Sequence, residues 1–249
     1  TVLTVGLSAR YETAHARLGR LCAEDGVQVS IPAVPVEAAV RMGWQEVGTP
    51  GELYRECEDA DLGVLYEAGF GLAYLPREYR YNRPVDLTIN LADYRVSDDT
   101  DPLAPAYDDQ GIRNRWTVER RDGSSAVADV YSDSIELNLA DDSLLLDMAS
   151  FRVRLGTVSD LRESTFPVDL AANPGLIDGW LSCGVGSRIV RTNPPAQHRP
   201  GPLDRLVEGW TEALGPRMWM VQVVPSLAVV WDVAVADGQL RVPADRSTL

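Results

Sequence analysis

Short strand-like runs, each closed by a turn signal, set the tightest limit on how this chain can fold. TVLTVGL at the start, LTINL at 87–91, RNRWTVERR, SAVADVY, SIELNL, STFPVDL and SRIVRTN are such runs. RLVEGWTEAL and MWMVQVVPS are two more, meeting at Gly215-Pro216, and Asp122-Gly123 joins RNRWTVERR to SAVADVY, so each pair reads as a hairpin. Runs this short cannot each build a core. They must share one in a sheet that packs on something else.

Helical spacing occurs mainly near the start. Ala14, Leu18, Leu21 and Cys22 recur on one face between Glu12 and Asp25, and Gly26 supplies a stop. TPGE at 49–52 is a second start signal, with Thr49 as cap, Pro50 at the first helical position and Glu52 completing a capping box. Leu53, Cys57 and Ala60 then share one face. VSIPAVPV is too broken by proline for an interior strand. GVLYEAGFGLAYLPREYRY reads as two strands around a turn at Gly69 to Gly71. After RYNRP the texture changes. Ser97 to Gln110 is a loop rich in Pro and Asp, DSLLLDMASFRV reads as a short helix running into a strand, and Asn173-Pro174 opens a short helix through Leu181. The expected class is α+β: a small α/β domain over 1–84, then a strand-rich barrel- or sandwich-like domain with short helices over 85–249. The chain opens on Thr1, already inside an apolar alternation, and this reads as a piece of a longer protein.

Composition narrows the function classes. The 249 residues suffice for one large or two small domains, and 45% apolar with 24% charged residues is ordinary for a globular protein. No apolar run approaches the roughly 18 residues that cross a bilayer. The net charge of −14 works against neutralising phosphates, so tight nucleic-acid binding is not expected, whereas DNA passing without sticking is compatible. The three cysteines, Cys22, Cys57 and Cys183, form no CxxC pair, and the first two fall on apolar helix stripes as reduced core thiols.

No motif carries chemistry. His15 and His198 have no ligand-type residue at metal spacing. CGVGS at 183–187 is not a nucleophile elbow, and GFG and GVG lack the strand-then-helix setting of a dinucleotide loop. DDTD at 98–101 and YDDQ at 107–110 lack the glycine and terminal glutamate of a calcium loop and read as solvated. No carboxylate pair stands out among 37 acids. Neither an enzyme nor a cofactor is expected.

Several segments in order resemble the minor tail, or tail-hub, proteins of long-tailed actinobacterial phages and prophages. They are ARLGRLCAEDGV, GTPGELYRECEDADLGVLYEAGFGLAYLPREYRYNRPVDLTI, DDQGIRNRWTVERRDGSSA, VDLAANPGLIDGWLSCGVGSRIVRTNPP, PLDRLVEGWTEALGPRMWMVQV and WDVAVADG. The resemblance implies a structural virion component beneath the tail tube. It further implies a trimer of barrel domains with an α/β insertion, assembled in the host cytoplasm, that closes the tube and anchors fibres or a piercing tip. Partners would be copies of itself, tail-tube or distal tail proteins, and tip or fibre proteins. A secretion-type spike hub shares this architecture.

DDQGIRNRWTVERRDGS at 108–124 then reads as a subunit seam, in which Asp108, Asp109, Arg113, Arg115, Arg120 and Arg121 are candidate assembly contacts. Period-2 alternation puts Arg113 and Arg115 on one face, reaching Asp108 or Asp109 of the same or a neighbouring chain, with Trp116 inward. The competing reading is an intrachain surface ion pair contributing ~0–1 kcal/mol. The alternative function is a carbohydrate-binding or carbohydrate-cleaving module acting on the host envelope. It requires two or three aromatic rings along an open groove, and Trp210, Trp219, Tyr79 and Tyr81 are the residues to inspect. Trp210 and Trp219, on facing strands, are expected in the core.

Overall fold

The computed structural model describes residues 11–34, 39–95, 115–128, 132–158, 163–196, 198, 200–236 and 239–241. In chain order the elements are α1 (Ala14–Asp25), β1 (Val29–Ser30), α2 (Pro50–Asp61), β2 (Val64–Ala68), β3 (Gly71–Leu75), α3 (Arg77–Arg80) and β4 (Val85–Asn90). They continue as β5 (Arg115–Arg120), β6 (Ser125–Ala128), β7 (Ser132–Leu137), α4 (Leu145–Thr157), β8 (Phe166–Asp169), α5 (Ile177–Leu181) and β9 (Arg188–Thr192). The last are β10 (Leu203–Gly215), β11 (Met218–Leu227), β12 (Ala234–Ala236) and β13 (Gln239–Arg241). The class is α+β, as expected.

The chain divides into two compact units that interleave in sequence. The first takes the described residues of 1–81, 111–158 and 233–249, and the second those of 82–110 and 159–232. The first break falls three residues before the expected one at 84. The rest of the expected 85–249 domain does not hold together, because residues 111–158 return to the first unit. The reason is apolar: Val118, Leu137, Leu145, Met148 and Ala149 bury themselves in the same cluster as Leu18, Leu21, Cys22, Leu53 and Cys57.

In the first unit, the two helix signals act as the sequence predicts. Thr13 caps α1 by accepting from the Ala16 N–H, and Gly26 closes it at φ 71° in the left-handed region. Thr49 and Glu52 form a full capping box on α2, each side chain serving the other's backbone N–H. Thr49→Ala is expected to cost about 1 kcal/mol, read as a lower urea midpoint with an unchanged m-value. β1, β3 and β2 form a three-stranded sheet, with β2 and β3 the expected hairpin and the proline-flanked β1 reduced to two residues. Gly63, just before β2, has to be glycine. A Cβ there would lie 2.3 Å from the hydroxyl of Tyr74, which is fully buried.

A second sheet of this unit has the order β6-β5-β7. β5 and β6 form the expected hairpin, with Asp122 at φ 54° in the turn. β7 runs parallel to β5 on its other side, an arrangement that no local turn signal encodes. DSLLLDMASFRV departs from expectation. Instead of turning into a strand it stays helical to Thr157, because Leu145, Met148, Ala149 and Arg152 at i, i+3, i+4 and i+7 form one buried face.

The second unit is a five-stranded sheet of order β4-β9-β10-β11-β8. β10 and β11 form the long hairpin across Pro216, with a register shift between Val207 and Gly209. β4 adds parallel to β9, and β8 antiparallel to β11. The sheet is open at β4 and β8, so among the described residues no barrel closes. Leu87, Ile89, Phe166, Val168, Trp180, Ile189, Val221 and Val223 make its core. The two expected core thiols, Cys22 and Cys57, are buried in the first unit's core, and burial pushes the Cys57 thiol up to about 12.

Candidate functional site

The candidate assembly residues divide sharply. Asp108, Asp109 and Arg113 lie outside the described residues, as do the side chains of Arg115 and Trp116 and the DDTD and YDDQ segments. Arg120 and Arg121 are described, and both are engaged within their own chain. Arg120 pairs with Asp142, whose carboxyl it holds below the usual carboxylate range. Arg121 meets three acids: Glu56 at 2.6 Å, Glu136 at 3.0 Å and Glu46 at 3.6 Å. Burial works against its charge, but hydrogen bonds to Glu136 and Glu56 more than offset that.

The tertiary origin of this network is plain. β7 lies parallel to β5 and so brings Glu136 beside Arg121, while α2 supplies Glu56 from 65 residues away. Around Arg121 lies a concavity of about 450 Å³, lined by Glu46, Glu52, Glu56, Asp59 and Glu136 against Arg55 and Arg121. The described acids that meet these arginines are thus Asp142 for Arg120 and Glu46, Glu56 and Glu136 for Arg121. Nothing local in the sequence singles out Glu46, Glu56, Glu136 or Asp142, because each pairing joins segments distant along the chain.

A second cluster sits on the long hairpin. Trp210 and Glu212 are two apart on β10 and share a face with Val221 and Val223, their partners on β11. Glu212 accepts three indole N–H donors: Trp180 at 3.2 Å, Trp210 at 3.1 Å and Trp219 at 3.2 Å. Trp180 comes from α5, is 3% exposed and meets the Trp210 ring edge-on with centroids 5.5 Å apart. Trp219 packs against the same core as expected, whereas Trp210 is 37% exposed. The two are not cross-strand partners, since Trp210 faces Val223 and Trp219 faces Leu214. One carboxylate thus ties α5, β10 and β11 together where the core face of the sheet runs out toward solvent. Trp210 alone among these three rings is open, so they do not form the row of rings that a sugar groove needs.

His15 sits on α1 with its Nε2 3.2 Å from the Thr13 hydroxyl, and burial lowers its pKa. Among the described residues no group of three His, Cys, Asp or Glu is placed to hold a metal ion. No described helix is long and apolar enough to cross a membrane.

No family model matches the sequence, and no curated protein matches it. The fold has clear relatives. The tail protein from Neisseria meningitidis MC58 superposes with a TM-score of 0.59 at 11% identity, over 92% of this chain and 71% of that one. The 43 kDa tail protein of prophage MuSo2 from Shewanella oneidensis gives 0.52 at 12% identity, over 90% and 66%. The prophage tail protein gp18 from Listeria monocytogenes EGD-e gives 0.50 at 10% identity, over 86% and 65%. The fold defined here is thus one found in prophage tail proteins. The chain spans about two thirds of the length of these structures.

Proposed function

We propose that this chain is a structural, non-enzymatic component of a phage or prophage tail and that it works at the tail tip as part of the hub beneath the tube. The observation that carries this reading is the structural match of nearly the whole chain to tail proteins from three bacteria. The order of its sequence segments resembles tail-hub proteins independently of that match. In this reading copies of the chain associate as a trimer, and tube and tip or fibre proteins bind its ends. The net charge of −14 keeps DNA from adhering as it passes.

Arg120 and Arg121 are engaged within the chain, and in this reading Asp108, Asp109, Arg113 and Arg115 serve the seam between copies. The test is to label this chain with gold-conjugated antibody on intact tails and locate it by electron microscopy. Label confined to the distal end is expected. Label spread along the tube would move the chain to another part of the tail, and tails without label would remove the structural reading. Light scattering on the purified chain addresses the trimer separately, with a mass three times that of the 27.3 kDa chain expected.

A further inference from the structure

The corner where α2, β3 and α3 meet buries two carboxyl groups. Asp61, the last residue of α2, is 1% exposed and well provided for: it accepts from the Tyr74 hydroxyl at 2.9 Å and from the Arg77 backbone N–H at 3.2 Å. Glu78 on α3 has a fully buried side chain, and neither of its oxygens has a hydrogen-bond partner among the described residues. The cation it pairs with is the Arg77 guanidinium at 3.6 Å, beyond hydrogen-bonding distance.

The neighbouring cations spend their donors elsewhere. Arg77 donates to the Met148 sulfur at 3.3 Å and lies over the rings of Tyr81 and Phe151. Arg80 donates to the Leu62 carbonyl, and Arg152 from α4 donates to the Asp59 carbonyl at 3.0 Å. His15 from α1 acts on Asp61. A buried charge without hydrogen bonds is costly, and a like charge nearby adds to the cost. Of the two acids, Glu78 is the one whose carboxyl oxygens find no well-formed hydrogen bond among the described residues, with Arg77 and its own backbone N–H giving only weak support to the ionised form.

We propose that Glu78 is a proton-operated latch: neutral, it stays packed beside Asp61 and Arg77, and on ionisation it loosens the α3 corner. Burial first, and then the Asp61 charge, raise its pKa to about 7 despite the opposing pull of Arg77. Burial raises Asp61 as well. A carboxyl whose folded pKa is raised binds its proton more tightly in the folded state. Its stabilising contribution is complete below the ordinary value of 4.5 and is lost as pH rises toward 7. The latch therefore responds to pH changes just below and around neutrality. It does not depend on a tail role for the chain.

Two measurements on the purified chain test it. In the first, carboxyl carbon chemical shifts are followed by NMR from pH 4 to 9, with Glu78→Gln assigning the signal. One glutamate titrating more than a full pH unit above the rest is expected, and Asp61→Asn should move its midpoint down. In the second, hydrogen exchange of residues 71–81 is compared at pH 6 and pH 8 after correction for intrinsic exchange rates. Protection should fall severalfold at pH 8 in the wild type and stay constant in Glu78→Gln. A Glu78 midpoint near 4.5, or equal corrected protection at both pH values in the wild type, overturns the proposal.

Discussion

Glu163→Ala is expected to destabilise the second unit by about 3–5 kcal/mol, the range found when one partner of a buried ion pair is removed. Glu163 is 1% exposed at its side chain and holds two guanidiniums that are each 2% exposed: Arg191, in direct contact, and Arg205 at 3.2 Å. Those arginines lie on neighbouring strands, β9 and β10, so one carboxylate holds two charged strands together inside the sheet's packing. With alanine there, both cations keep their burial and lose the Glu163 carboxylate. Arg191 is already under strain of this kind, since burial lowers its pKa even with Glu163 in place. Urea unfolding at neutral pH reads the effect directly. The companion variant Glu163→Gln keeps the volume and a hydrogen-bond acceptor, so it separates loss of charge from loss of packing. A cost below about 1 kcal/mol for the alanine variant would show that water reaches both guanidiniums and that the triad is not buried in solution.

Phe166→Ala should be of similar size, about 3–5 kcal/mol, for a different reason. Phe166 on β8 is 1% exposed, pairs across the ladder with Val223 and sits in the centre of the second unit's core. Its ring also lies 4.0 Å from the Arg191 guanidinium carbon, so the ring face replaces part of the hydration that the cation has lost. Removing it opens a cavity and bares the same cation that Glu163 neutralises. The two substitutions share Arg191, so their effects should not add. A double variant whose loss equals the sum of the single losses within about 0.5 kcal/mol would show that ring and carboxylate act independently.

How much of this was legible beforehand depends on the range of the signal. The caps of α1 and α2, the β2–β3, β5–β6 and β10–β11 hairpins and the buried stripe Leu53, Cys57 and Ala60 were all readable, because each is set by residues within a few positions of one another. The run FRVRL misled, since its β-branched and aromatic residues suit a strand when read alone. The helix through it exists because Leu145, Met148 and Ala149 have a core to face. The acids that pair with Arg121, Glu56 and Glu136 among them, are not legible in the sequence for the same reason: they are its neighbours only in space.

The sequence by itself determined the pieces: where helices start and stop, which short runs are strands, which turns join them, and that the chain is strongly acidic. These follow from backbone sterics, capping and net charge, which act locally or over the whole chain. Tertiary structure alone decided that 111–158 leaves the strand-rich region to complete the first unit's core, and that β7 lies parallel to β5. It also set Glu163 between Arg191 and Arg205, and Glu78 where neither carboxyl oxygen finds a hydrogen-bond partner among the described residues. Those outcomes depend on which apolar faces bury one another and on which charges are stranded when they do, and both are properties of contacts between segments far apart in the chain.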